Sequence, residues 1–96
     1  MKKVDFSKIE LEMIDGSMKT ADFQHGENGL ANQIYMQARE IKWKDLGRKI
    51  YEADGAVELN SAECEYIRNF IKGWSIVAVE GIERAMETGN DKDSSV

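Results

Sequence analysis

His25 and Cys64 are the residues of this chain whose types most readily support catalysis. His25 lies in a glycine-bearing loop, where an imidazole could act as a general base or a metal ligand. Cys64 lies in the first turn of an expected helix, whose dipole favours a thiolate. Glu63 and Glu65 flank Cys64 and oppose that charge, and Cys64 begins an apolar stripe. We therefore expect a buried thiol and an exposed loop histidine, and we predict no catalytic residue and no enzyme.

The acidic residues and the glycines do not complete a metal or phosphate site. Glu80, Glu83 and Glu87 lie on neighbouring turns of one expected helix and could bind a hard cation. Glu80 and Arg84 have the order of an ordinary surface ion pair, which favours a solvated face. The loop 26–29 lacks the glycine order of a phosphate-binding loop. One histidine and one cysteine cannot close a Cys/His zinc site, so we expect no metal and no cofactor.

The segment 39–49 is the most basic part of the chain and contains a tryptophan. Positive side chains beside an aromatic ring can hold a phosphate backbone and stack a base. The residues that could make these contacts are Arg39, Lys42, Trp43, Lys44 and Arg48. The whole chain has a net charge of −5, however, whereas nucleic-acid-binding modules are often strongly basic. Nucleic-acid binding is therefore our second hypothesis, and we expect no measurable duplex binding at physiological salt.

Length and composition indicate one small domain. The 96 residues include 42% apolar and 32% charged side chains, which is typical of a folded domain. Residues 1–49 contain 9 basic and 8 acidic side chains, and residues 50–96 contain 4 and 10, so the C-terminal half is acidic. The sequence has no apparent membrane span or signal peptide, and its single cysteine fits a reducing compartment. We expect a cytoplasmic protein with one domain over 1–89 and a disordered tail over 90–96.

The N-terminal part predicts a β-hairpin. Apolar and charged residues alternate over 8–13, and Asp15-Gly16 is a strong signal for a two-residue turn. In that register Met13 faces Met18 across the hairpin. Further strands could come from 4–6, from 56–59 or from a second copy of the chain. The side chains expected on the buried face are those of Ile9, Leu11 and Met13.

Helices are predicted for most of the remaining chain. The helical spacing of four apolar residues, Leu30, Ile34, Ala38 and Ile41, predicts a first helix with Asn28 as its N-cap. A second helix is expected with Asp45 as its N-cap and its end at 54–55, and a short extended link over 41–44 is expected between the two helices.

The last two helices are predicted with different clarity. Asn60 and Glu63 have the spacing of a capping box, which begins the third helix. A fourth helix is expected over 75–87, although the β-branched run 76–79 is ambiguous between helix and strand on its own. The predicted fold is therefore α+β: an N-terminal hairpin followed by three to four helices packed on one face.

Two stretches resemble the small accessory proteins that bacterial prophages and mobile elements carry. They are 46–51 (LGRKIY) and 55–63 (GAVELNSAE), which together suggest a short tyrosine-bearing helix, a Gly-x-Val-x-Leu step and a capped helix. The resemblance implies no catalytic residue. It implies a protein that works by contact with another protein, in virion assembly or host interference.

An apolar stripe on the third helix carries our leading functional hypothesis. A small core cannot easily hide all of it, and an exposed apolar patch usually marks a protein contact. We therefore predict a non-enzymatic protein-interaction module that forms a homodimer and also contacts an unidentified protein. The residues expected at that contact are Ile67, Phe70, Ile71 and Trp74.

Overall fold

The computed structural model describes residues 2–88, which form four strands and four helices. The strands are β1 (Lys2–Val4), β2 (Ile9–Glu12), β3 (Met18–Ala21) and β4 (Val57–Leu59). The helices are α1 (Leu30–Gln37), α2 (Ile41–Glu52), α3 (Ser61–Phe70) and α4 (Ile76–Thr88). The predicted α+β class with an N-terminal hairpin is confirmed. The predicted tail, 90–96, and the expected end of the last helix at position 89 lie outside the described residues.

Within residues 2–88 the strands form two separate antiparallel pairs. β1 pairs with β4, and Val4 lies opposite Val57. β2 pairs with β3 in the hairpin. The two additional strands expected near 4–6 and 56–59 therefore pair with each other instead of extending the hairpin. α4 packs on both β1 and β2, and a Cβ at Gly81 would lie 2.8 Å from the Glu10 carbonyl oxygen. This glycine lets the helix lie directly against the strand.

The register of the hairpin differs by one residue from the predicted one. Met18 lies opposite Glu12, not opposite Met13. The Met13 amide donates instead to the Ser17 carbonyl at 2.8 Å, which closes a three-residue loop. The predicted buried face is correct for Ile9, which is buried, but Met13 lies beyond the strand and is 39% exposed.

The turn chemistry explains this register. A two-residue type I′ loop needs positive φ at both Asp15 and Gly16. Among the described residues only glycines have positive φ, and Gly16 has a φ of 88°. The Asp15 carboxylate instead accepts hydrogen bonds from the Ser17 amide at 2.9 Å and the Ser17 hydroxyl at 2.6 Å. These bonds hold Asp15 outside the left-handed region. Gly16 is therefore the only residue of the loop with a positive φ.

One apolar core joins the helices to both strand pairs. Phe6, Ile34, Leu46, Ile67 and Ile82 are among its almost fully buried side chains. All four helices and three of the four strands, β1, β2 and β4, contribute side chains to this core. The remaining buried apolar residues are Val4, Ile9, Leu30, Ala31, Ile50, Val57, Leu59, Cys64, Ile71 and Met86.

The second helix begins five residues earlier than predicted, with Glu40 instead of Asp45 as its N-cap. α2 starts at Ile41, so the segment 41–44, expected to be extended, forms its first turn. Glu40 is the N-cap residue without a side-chain cap, and its carbonyl oxygen accepts from the amides of Trp43 and Lys44 at 3.1 Å. Tertiary packing is consistent with this difference, because the Trp43 ring packs against the core and stacks on Tyr66 of α3, contacts that the local pattern does not contain.

The start of α3 is confirmed as predicted. The Glu63 amide donates to Asn60 Oδ1 at 2.8 Å, and the Asn60 amide donates to Glu63 Oε1 at 2.9 Å. Two of the donors that a helix start leaves unpaired are therefore bonded. After α3 the chain turns at Gly73, whose φ is 96°, and the ambiguous run 76–79 is helical in α4.

Candidate functional site

The predicted phosphate contacts do not share one face: Arg39 is exposed in the link before α2, and the others are divided between two flanks of that helix. Lys42 and Trp43 lie on the flank that faces α3, where the Trp43 ring contacts Tyr66. Lys44 and Arg48 lie on the flank that faces α1, where both cations stand over the Tyr35 ring. The set expected to contact one phosphate backbone is therefore not one surface. Each flank carries its own candidate site.

The first site is an aromatic ladder of five half-buried rings, Trp43, Tyr66, Phe70, Trp74 and Phe23. Trp43 and Tyr66 stack with ring centroids 4.1 Å apart and planes within 11°. Tyr66 and Phe70 follow at 5.9 Å, and Phe70 meets the edge of Trp74 at 6.3 Å. Trp74 meets Phe23 at 6.3 Å, also edge to face. The ladder joins α2, α3 and the loop after β3.

A positive and a negative side chain border the end of the ladder formed by Trp43 and Tyr66. The Lys42 ammonium lies 4.9 Å from the centroid of the Trp43 ring, a cation–π distance. The same ammonium lies 3.7 Å from a carboxylate oxygen of Glu40. Burial, and then the negative charge of Glu40, raise the pKa of Tyr66 above its ordinary value. Tyr66 therefore stays a neutral phenol at physiological pH.

The helical repeat of α3 separates the ladder from the core. Tyr66 and Phe70 are four residues apart and lie on one face of the helix. Ile67 and Ile71 lie on the neighbouring face and are completely buried. The predicted contact set is thus corrected: two of its four members, Ile67 and Ile71, are core residues that no partner can reach. Phe70 and the later Trp74 are packed against the core but remain partly exposed.

Two ladder residues, Tyr66 and Phe23, are absent from both predicted sets of contact residues. Tyr66 lies four residues before Phe70, and this i, i+4 spacing is a local signal that places both rings on one helix face. Phe23 joins through tertiary packing, and nothing local in the sequence indicates its contact with Trp74.

The second site is a cleft of about 400 Å³ between α1, α2 and the loop after β3. Ala31 and Gly47 form part of its lining and are buried. A Cβ at Gly47 would lie 2.8 Å from the Tyr35 amide nitrogen and 2.9 Å from the Ala31 carbonyl oxygen, so the two helices touch through their backbones here. The other lining residues are His25, Glu27, Asn32, Tyr35, Arg48, Tyr51 and Glu52.

Two positively charged side chains lie beside Tyr35 at one end of the cleft. The Arg48 guanidinium donates to the Tyr35 hydroxyl at 3.4 Å, and the Lys44 ammonium lies 5.4 Å from the ring centroid. This hydrogen bond, together with the positive charge of Lys44, holds the pKa of Tyr35 below its ordinary value. The same hydrogen bond raises the pKa of Arg48, and the charges of Glu52 and Asp45 act in the same direction.

His25 borders the other part of the cleft in a fixed orientation. Its Nδ1 lies 3.2 Å from Asp22 Oδ2, and its ring meets the edge of Tyr51 at a centroid distance of 5.4 Å. Burial alone would raise the pKa of Asp22, but hydrogen bonds from the backbone amides of His25 and Gln24 bring it below its ordinary value. Gln24 is buried, and its side-chain amide donates to the backbone carbonyls of Tyr51 and Ala53. The loop is thus tied to the end of α2.

The lining of the cleft includes no serine, threonine or cysteine beside His25. Cys64 does not line it and is buried in the core, as predicted. Burial raises the pKa of the Cys64 thiol, which keeps it protonated. Within residues 2–88 no group of three His, Cys, Asp or Glu side chains could hold a metal ion. No helix in this part of the chain combines the length and apolarity needed to cross a bilayer.

The chain matches no protein-family model, no curated protein and no solved structure.

Proposed function

We propose that this chain is a non-enzymatic protein-interaction module that associates with a second copy of itself through the aromatic ladder. The observation that carries the proposal is the ladder: five rings in continuous contact, none of them fully buried. Tryptophan and tyrosine are the residues that most often dominate binding energy at protein interfaces.

Two exposed apolar residues follow Trp74 in the chain. They are Ile76 and Val77, which are 68% and 40% exposed. A monomer gains nothing from holding large apolar side chains in water, and contiguous exposed apolar surface generally marks an interaction site. Covering this surface with another protein would therefore be favourable.

The charges at the Trp43–Tyr66 end of the ladder favour a second copy of the chain as the partner. A two-fold contact is self-complementary, so each sign of charge on one copy must find the opposite sign on the other. Lys42 and Glu40 both stand at the Trp43–Tyr66 end of the ladder. A two-fold axis that brings the Trp43–Tyr66 ends of the two ladders together would let the ammonium of one copy face the carboxylate of the other.

Nucleic-acid binding is the second candidate, supported by the Lys42 ammonium over Trp43. Three features weaken it. One face of Trp43 is covered by Tyr66, so a base could not stack there without displacing a protein ring. Lys44 and Arg48 stand over Tyr35 on the opposite flank of α2. The net charge of −5 also repels a polyanion.

A gel-shift assay at increasing salt tests this candidate. We expect no duplex shift at physiological salt. A salt-sensitive shift that a Lys42/Lys44/Arg48 triple alanine variant abolishes would place nucleic-acid binding first.

The biological setting is part of the same proposal. The resemblance to accessory proteins of prophages and mobile elements, together with an unpaired and buried Cys64, supports a protein that works by contact in the cytoplasm. An unidentified host or virion protein could then share the ladder surface with the second copy.

Light scattering over a range of protein concentrations tests self-association. We expect a mass of about twice 10.9 kDa at tens of micromolar, falling toward the monomer mass in Phe70→Ala and Trp74→Ala variants. Met36→Ala is the matched control, because Met36 is 71% exposed and outside the ladder, and it should leave the dimer intact. Circular dichroism of each variant separates lost association from lost folding. A monomeric wild-type chain, or a dimer that both ladder variants leave intact, would contradict the proposal.

A further inference from the structure

The cleft presents opposite charges to anything that enters it. Arg48 lines it, and Lys44 stands beside it over Tyr35. Glu27 and Glu52 line the same cleft and carry the opposite charge. A simple anion would be attracted by the two cations but repelled by the two carboxylates, and a simple cation would meet the reverse. A ligand that carries both signs avoids both penalties.

The charged groups of the lining keep unused hydrogen-bonding capacity. Among residues 2–88, neither the Glu27 nor the Glu52 carboxylate forms a salt bridge or a side-chain hydrogen bond. Arg48 makes one long bond, to the Tyr35 hydroxyl at 3.4 Å. A guanidinium has five N–H donors in a planar fork that matches a carboxylate. Arg48 therefore retains N–H donors that can bind a carboxylate beside its bond to Tyr35.

The helix places an arginine and a glutamate one turn apart beside the cleft. Arg48 and Glu52 are one turn apart on α2, which places their Cβ atoms about 6 Å apart. A dipeptide, whose two Cα atoms lie about 3.8 Å apart across the peptide bond, separates its ammonium and carboxylate by a similar distance. A single amino acid holds its charges closer together. The volume of about 400 Å³ is at the lower end of the range for small-molecule sites.

We propose that the cleft binds a small zwitterion of dipeptide size, with its carboxylate at Arg48 and its ammonium at the Glu27 and Glu52 carboxylates. The backbone contact at Gly47 fixes the distance between α1 and α2, and Gln24 ties the loop that carries His25 and Glu27 to the end of α2. The lining is thus built on rigid elements. The cleft shares no lining residue with the aromatic ladder, so this proposal is independent of self-association.

Titration of the full chain followed by amide NMR tests the proposal, with alanyl-alanine as the probe. We expect saturable shifts at the Ala31 and Gly47 amides at millimolar ligand. Arg48→Met and Glu52→Gln should each weaken binding about tenfold or more, because each removes a charge-assisted contact. Arg39→Met and Glu65→Gln are matched controls: both residues are exposed and outside the cleft, so the dissociation constant should not change.

Ligand variants separate a zwitterion site from a simpler one. N-acetyl-alanyl-alanine lacks the ammonium and alanyl-alaninamide lacks the free carboxylate, and we expect each to bind about tenfold or more weakly than alanyl-alanine. Equal binding of either analogue, or tighter binding of inorganic phosphate, would overturn the assignment. The absence of saturable shifts in a chain whose amide spectrum is that of a folded protein would also overturn it.

Discussion

The two flanks of α2 differ in how closely the neighbouring helix approaches. On the α1 flank, Gly47 lets two backbones touch, and the charged side chains around that contact border a cleft. On the α3 flank, Trp43 and Tyr66 place two stacked rings between the helices. Small residues thus bring helices together and leave polar side chains at the margin, whereas large aromatic residues occupy the space and extend to the surface. One helix can therefore border a polar pocket on one flank and a partly exposed aromatic surface on the other.

The largest effect is expected where the backbones touch. Gly47→Leu should cost about 3 kcal/mol of unfolding free energy, because its Cβ would lie within 2.9 Å of backbone atoms that cannot move without separating the helices. Leucine is a strong helix former, so helix propensity cannot account for a loss. Urea unfolding measures the change.

Gly26→Leu is the matched control for this variant. A Cβ at Gly26 would make only ordinary contacts, at 3.6 Å or more, so we expect a change within about 0.5 kcal/mol. Similar losses in both variants would show that the close approach of α1 and α2 does not limit stability.

The other flank is tested by removing its largest ring. Trp43→Ala should cost about 2 kcal/mol, roughly half the cost of truncating a fully buried aromatic residue, because the ring is only half-buried on Tyr66. Tyr51→Ala, on the cleft flank and 50% exposed, should cost about 0.5 kcal/mol. Thermal unfolding of the two variants side by side makes the comparison, and a larger loss from Tyr51→Ala would reverse our ranking of the flanks.

A smaller effect is expected at the start of α3, the helix that carries the middle of the ladder. Asn60→Ala removes the acceptor of the Glu63 amide and should cost about 1 kcal/mol. Ser61→Ala is the control, since Ser61 is exposed and its side chain makes no hydrogen bond within residues 2–88. Equal stability of the two variants in urea would mean that ladder packing, not capping, fixes the start of α3.

The smallest effect concerns the ion pair between α2 and α3. Lys49 Nζ lies 3.1 Å from both carboxylate oxygens of Glu63. Both side chains retain some exposure, so Lys49→Met should cost about 0.5 kcal/mol, and less at high salt. Chemical unfolding at two ionic strengths measures it. A loss that does not depend on salt would assign the effect to packing of the lysine stem.

Local signals in the sequence predicted local structure well. The capping box at Asn60 and Glu63 and the position of the turn at Gly16 are properties of four or fewer consecutive residues, and both are found where expected. The hairpin register was wrong because an aspartate side chain outcompeted the turn type that the residue pair suggested. The start of α2 was wrong, because the local pattern of 41–44 does not contain the contact of Trp43 with Tyr66.

The candidate sites were less predictable for the same reason. Phe70 and Trp74 were identified from their spacing, but Ile67 and Ile71 of the same stripe turned out to be core residues. The helical repeat alone cannot say which side of an apolar stripe meets water. The cleft brings Tyr35 to Arg48 and His25 to Tyr51, pairs that are joined only by folding.

The pairing of β1 with β4 sets an order of events during synthesis. The first strand leaves the ribosome early, but its partner, with Val57 opposite Val4, follows more than fifty residues later. The hairpin of β2 and β3 and the contact between α1 and α2 need only residues close in the chain, so they can form while translation continues. Lys2–Val4 must wait, unpaired, until Val57–Leu59 has emerged. β1 is thus made before the other three strands but is among the last to pair. Its pairing with β4 joins the early and late halves of the nascent chain.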